Sequence, residues 1–447
     1  MLEFSKIGKF VSLIIIFSVG VPHAHAVTLS EAIKAGLLNH PSLLSAYENY
    51  QARLADIDVE RAGYFPTVDI SAGAGKEHTE SPSTRASGEG GKTLSAAESE
   101  LSIVQPIFDG FDTDSRVEQA RSSALSAKER LSSQRLEIAN DITNAYIDVL
   151  RATRLITVAE KDISKHDEIL YRMKKRVEDG GGLPVNVDEA REGLALARST
   201  LASAEERLFG AKARFSSLTG LAAEDFSPVF RLEDIPATLG KAIEIAADKN
   251  PSVMEARHAV QAAEYAVDIA KSAFAPTVDL EASASQNVNQ GGISGRDRDG
   301  RILVRLRYNL FNGGADTAAL KSRRLELNRA RADLDRVLLE LRRDIELSYI
   351  TLAERRKRLA SELERQIFNV KVVEGYEQQF LFGARTLLDL LSGYGKLYSN
   401  ENSIIQAEYD ILSQEFNILR FVGIPWYPDD SRLIDGAGSS APPEGRQ

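Results

Sequence analysis

Few residues in this 447-residue chain have the types and spacing that chemistry needs. His40, His78, His166 and His258 show no metal-ligand spacing, and there is no Cys, so neither a metal nor a cofactor site is expected. Gly180-Gly181-Gly182 is not a phosphate loop, because no strand-to-helix GK[ST] context surrounds it. Arg-rich runs such as Ala353–Arg358 alternate with acids and read as a solvated helix face, not a nucleic-acid site. No nucleophile–base constellation is present, so the chain is not expected to be an enzyme. What remains is charge beside two glycine breaks: Asp188 follows Gly182, while Arg385 and Asp389 follow Gly383. Setting Gly182 on Gly383, an offset of 201, also sets Asp188 on Asp389. Acids repeated beyond equivalent bends suit the closing end of a passage. The plainer reading makes them N-terminal-turn acids of the returning helices, favoured by the helix dipole.

The elements that must position these residues come from a duplication. Thr28–Gly75 aligns without gaps on Thr238–Ser285, bringing Pro41 onto Pro251 and the PTVD run onto itself, at an offset of 210. Further on, Phe108 meets Phe311, Asp141 meets Asp344 and Tyr146 meets Tyr349, at an offset of 203. The difference falls in a Gly- and Ser-rich stretch, where a surface loop tolerates it. We therefore divide the chain into a first repeat (27–220), a connector (221–237) and a second repeat (238–427).

In each repeat a helical tract is interrupted before Pro41 or Pro251, since the residue preceding proline avoids helix. From Pro66 and Pro276 the period becomes two, with Val68, Ile70 and Ala72 opposing Asp69, Ser71 and Gly73. Polar loops follow, SPSTRASGEGGK and NQGGISGRDRDG, and then return strands near Ser95–Phe108 and Arg301–Phe311. Asp112–Glu178 and Ala315–Phe380 lack Pro and read as helices, each reaching about 100 Å if continuous. They return as Val187–Leu218 and Leu387–Phe421, and Leu194, Leu201 and Leu208 are spaced as in a coiled-coil seam.

Lys6 and Lys9, an apolar run Val11–Val21 and Ala24-His25-Ala26 form a secretory signal peptide, expected to be cleaved after Ala26. Residues 428–447 are rich in Gly, Ser and Pro and are expected to be disordered. Beyond the signal no apolar run is long enough for a membrane helix, so any crossing uses strands. Strands with one apolar and one charged face match an outer-membrane barrel. Four strands cannot close one, and open edges are not viable in lipid. Three copies give twelve strands. A periplasmic adaptor, the rival class, needs one helical hairpin flanked by β-domains, the opposite layout.

Over essentially the whole mature chain, the ordered set FPTVD, QPIFDG, YNLFNGG and GARTLLDLL within this duplication resembles the TolC family of outer-membrane channels. The resemblance implies an α+β membrane protein: long helical coiled-coil hairpins plus β-strand pairs, forming a homotrimer. It further implies a twelve-stranded β-barrel in outer-membrane lipid, continued by a periplasmic α-helical barrel. The implied partners are a periplasmic adaptor and an inner-membrane transporter of the ABC type. The FGARTLLDLLSGYGKLYSNENSIIQAEYDIL segment looks most like the channels of type I protein secretion, with small-molecule efflux as the alternative. In the family an Arg on the second hairpin meets a Thr-Asp pair on the first and holds the end closed. Arg385 and Asp188 match, whereas Val187 stands at the Thr. Phe380 replaces a Tyr, Asp389 matches the first of two acidic rings, and Ser392 replaces the second.

Overall fold

The computed structural model describes residues 26–88, 90–222, 225–229 and 235–427. The expected signal peptide (apart from Ala26) and the expected tail lie outside the described residues. The first repeat contains α1 (Leu29–Asn39), α2 (Pro41–Arg61), β1 (Thr67–His78) and a short helix α3 (Pro82–Ala86). It continues with β2 (Thr93–Phe108), α4 (Asp112–Glu178) and α5 (Pro184–Thr219). The second contains α6 (Leu239–Lys249), α7 (Pro251–Ser272), β3 (Thr277–Val288), β4 (Arg296–Arg307), α8 (Ala315–Leu381) and α9 (Leu387–Val422). Helices α4 and α8 are both 67 residues long, and α5 and α9 both 36. Each long helix therefore ends 203 residues before its counterpart, so the 203 offset runs through the bends.

Local chemistry explains the element ends. Thr28 and Glu31 form a reciprocal capping box at the start of α1, and Pro41 and Pro251 occupy first-turn positions where a missing N–H costs nothing. On α5, Ala190, Ala197 and Ala204 are buried and interleave with buried Leu194 and half-buried Leu201 and Leu208. Alternating small and large knobs let α5 lie close along α4.

The sheet is antiparallel in the order β1-β2-β3-β4. Its register puts Val68 opposite Ile103, Ile103 opposite Ala282, and Ala282 opposite Ile302, making one apolar face. The other face carries Asp279, Glu281, Arg305 and Arg307, joined by ion pairs of 2.6–3.3 Å. Pro106, which has no N–H, sits at a bulge in the β2–β3 ladder. Strand β4 begins at Arg296, earlier than expected, and stops at Arg307. The RDRD run read as loop because it holds no apolar residue and is flanked by Gly295 and Gly300. It nevertheless pairs residue by residue with Ser285–Val288. Among the described residues nothing covers the apolar face: Ile70 is 81% exposed and Ile302 76%.

Where the two repeats meet the short helices, two cores form at equivalent places. Tyr146, Phe215 and Phe226 stack edge to face, with ring centroids 4.9–6.1 Å apart. The buried Tyr146 hydroxyl shares its one proton between the carbonyls of Val27 (2.6 Å) and Ser227 (2.7 Å). Tyr349 donates to the carbonyl of Pro236 at 2.6 Å. These two tyrosines pin the segments that link the repeats.

Candidate functional site

The bends follow from how α4 and α8 end. Past Glu178 the chain turns left-handed at Gly180 (φ 74°), and past Leu381 it does so at Gly383 (φ 73°). The turning glycine of the first bend is thus Gly180, and Gly182 lies two residues further on, within the same loop. This replaces the 201 register expected at the bends. Counted from the helix ends, Asp389 corresponds to Asn186, and Asp188 to Leu391. Capping geometry agrees: Leu183 N donates to Asn186 Oδ1 at 3.3 Å, and Thr386 N to Asp389 Oδ2 at 3.3 Å.

Asp389 therefore sits in the first turn of α9 as the acid of a capping box. The Thr386 hydroxyl donates to it at 2.8 Å, and Asp389 N donates back to Thr386 Oγ1 at 3.2 Å. These Thr386 hydrogen bonds, with Arg385 3.8 Å away, hold its carboxyl below the usual aspartate value. It remains ionised at neutral pH and is solvent-accessible.

Arg385 is occupied on its own hairpin. Its Nε donates to Gln379 Oε1 at 2.9 Å, and its guanidinium lies 4.5 Å from the centroid of the Tyr376 ring. Asp188 pairs with Arg191 at 3.0 Å, both exposed. Among the described residues of one chain, Asp188 and Arg385 do not meet. Val187, at the expected threonine position, packs instead into an apolar cluster with Ile169, Met173, Leu387 and Leu390.

A cleft of about 490 Å³ separates the two bends, lined by Gly182, Asn186, Phe380, Gly383 and Arg385 among others. Across it, Arg176 of α4 stacks on the Phe380 ring, 5.4 Å from its centroid, while its Nε donates to Gly181 O at 3.1 Å. Phe380 is thus a bridge between hairpins, made with its ring face. Sequence reasoning missed Arg176 and Tyr376. The available signals were a cation in the last turn of α4, which the helix dipole favours, and an aromatic one turn before Phe380. Deeper in, the buried Tyr394 hydroxyl donates to Glu377, and burial together with that carboxylate pushes the phenol's pKa up.

Two continuous long hairpins, a small membrane-type sheet and bends without catalytic groups define the class: a channel wall with an ion-lined end. The chain belongs to the outer membrane efflux protein family, whose model matches residues 32–221 and 242–423. It is 23% identical over 397 residues to the outer membrane efflux protein BepC of Brucella suis biovar 1, covering 89% of this chain and 85% of that one. It is 24% identical over 412 residues to the alkaline protease secretion protein AprF of Pseudomonas aeruginosa, covering 90% and 85%. The solved channel CusC shares the fold, with a TM-score of 0.78 at 15% identity over 89% of this chain and 92% of that one. The protein is a TolC-type channel of the outer membrane and not an enzyme. No described helix is long and apolar enough to cross a membrane.

Proposed function

We propose that three copies close into a twelve-stranded barrel and a helical tunnel that serves as the exit duct of an inner-membrane transporter. One observation carries the reading: the open edges of every layer fall on the same two sides. The sheet is open at β1 and β4. Near the sheet the helices neighbour one another as α2-α4-α7-α8, and near the bends as α5-α4-α9-α8. One side is therefore all first repeat (β1, α2, α5), and the other all second repeat (β4, α8). A head-to-tail contact between such sides closes a ring. Leu196 on α5 and Phe368 on α8, each about a dozen residues from its bend, are 68% and 58% exposed and suit that seam. Mass measurement in mild detergent is expected to give a trimer, and Phe368→Asp a monomer. A stable wild-type monomer would sink the barrel and the tunnel together.

The same ring places Arg385, at the second-repeat side, near Asp188, at the first-repeat side of the next copy. The latch expected between them is therefore an intermolecular one. A periplasmic adaptor and an ABC-type transporter complete the route. For cargo we favour type I protein secretion, on the character of the second bend and the likeness to AprF; small-molecule efflux, on the likeness to BepC, is the alternative. Deleting the gene is expected to abolish release of a secreted polypeptide and leave inhibitory drug concentrations unchanged. The opposite outcome selects efflux.

A further inference from the structure

At the loop end of the sheet, strand alternation sorts charge by sign. β1 ends in Lys76-Glu77-His78 and β4 begins Arg296-Asp297-Arg298-Asp299. Lys76 and His78 share the face of Ala74 and Ile70; Arg296 and Arg298 share that of Ile302 and Val304, the lipid side. Two contacts agree with this: Arg298 Nε donates to Gln286 Oε1 at 3.0 Å, and His78 Nδ1 lies 3.3 Å from Thr93 Oγ1. Glu77, Asp297 and Asp299 turn to the opposite face, with Glu98. The β3–β4 loop folds over that carboxylate side, where Gly291 N donates to Glu77 at 3.3 Å and Gln290 Nε2 to Glu98 at 3.4 Å. The cation side is left uncovered. Lys76, Arg296 and Arg298 are exposed, and among the described residues none has a carboxylate within ion-pair distance.

This end points away from the long helices, so the cations rim the apolar band at the outer leaflet. We propose that they seat the phosphorylated headgroups of anionic outer-leaflet lipid. Sign and position both fit: acyl chains lie along Ala74, Ile302 and Val304, and phosphates reach Lys76, Arg296 and Arg298 just above them. The proposal rests on the ring described above in one respect, since β1 and β4 are the edges that become neighbours and so merge two half-patches into one.

The test is native mass measurement of the full channel in neutral detergent with three probes: diphosphorylated lipid A, its dephosphorylated form, and phosphatidylethanolamine. The trimer is expected to retain the diphosphorylated lipid selectively. Lys76→Gln/Arg296→Gln/Arg298→Gln is expected to weaken retention roughly tenfold, while Arg296→Lys/Arg298→Lys and the inward Asp297→Asn/Asp299→Asn leave it near wild type. If the triple variant gives no trimer, Lys76→Gln and Arg298→Gln singly carry the comparison. Equal retention of the dephosphorylated lipid, undiminished retention by the charge-removing variants, or displacement by inorganic phosphate at matched concentration would each overturn the proposal. A monomer mass would instead overturn the ring, so the two failures are distinguishable.

Discussion

Phe380 and Asp389 show how a side chain's role depends on what the fold puts beside it. Phe380 has no hydroxyl, yet its ring lies under Arg176 of the other hairpin. An accessible cation–π contact contributes about 0.5–1 kcal/mol. Phe380→Leu keeps apolar volume and loses that coupling, so a double-mutant cycle with Arg176→Met, read by thermal denaturation of the trimer, should show it. Additive losses would mean that the ring only fills space. Asp389 is both a helix cap and the one acid presented at this bend, because Ser392 carries no charge. In a threefold ring it supplies three carboxylates at one level, which attract cations and can be relieved by multivalent ones. Bilayer recordings should show cation preference and block by multivalent cations from the periplasmic side. Asp389→Asn should shift the permeability ratio toward unity, and Ser392→Asp should tighten the block. Untouched selectivity in Asp389→Asn would leave the residue as a cap alone.

At the scale of elements, the long hairpins gain their fixed relation from the two cores beside the short helices, where Tyr146 and Tyr349 hold equivalent linking segments. Tyr146 shares its one proton between the carbonyls of Val27, which also accepts from Ser227 N, and Ser227, while Tyr349 gives its proton to that of Pro236. Leaving buried acceptors without a donor costs about 1–3 kcal/mol. Tyr146→Phe and Tyr349→Phe should therefore each lower the denaturation temperature, and by similar amounts, as circular dichroism melts would show. Burial pushes the Tyr146 hydroxyl up to about 12, from an ordinary value of 10.0. The neutral phenol is the form the fold needs, so its contribution is full below pH 10.0 and is lost as pH rises through about 12. Tyr146→Phe should accordingly unfold with a shallower dependence on alkali than the wild type. Equal slopes would show that this hydroxyl does not govern alkaline stability.

For the molecule as a whole, the proposed ring makes opening an exchange of partners at the bends. Within one chain Arg385 holds Asp389, Gln379 and Tyr376, and Asp188 holds Arg191. Exposed pairs of this kind contribute at most about 1 kcal/mol, so each partner is free to be traded for one on a neighbouring copy. A closed ring repeats the trade at every seam, and small terms then add. Arg385→Ala should raise single-channel conductance in planar bilayers several-fold, and Asp188→Ala less, since Arg385 keeps its other partners. If neither changes conductance, the Asp188–Arg385 latch has no part in closure.

The amino-acid sequence by itself determined the repeat, the strand alternation, the long helices to within a few residues and the need for a shared barrel. Those are properties of spacing along the chain: a period of two or of about 3.6 survives whatever the element packs against. It also offered Asp188, Arg385 and Asp389 as charges at a closing end. The tertiary structure decided what those charges touch and which are equivalent. Three glycines in a row offered several registers for the first bend, and only the helix ends, set by capping, chose Gly180 over Gly182. Likewise Phe380 finds Arg176 on another hairpin, at a separation that no local pattern encodes, whereas the partners of Arg385 lie within ten residues of it. Alternatives worth about 1 kcal/mol apiece are degenerate in the sequence and are resolved only by distance.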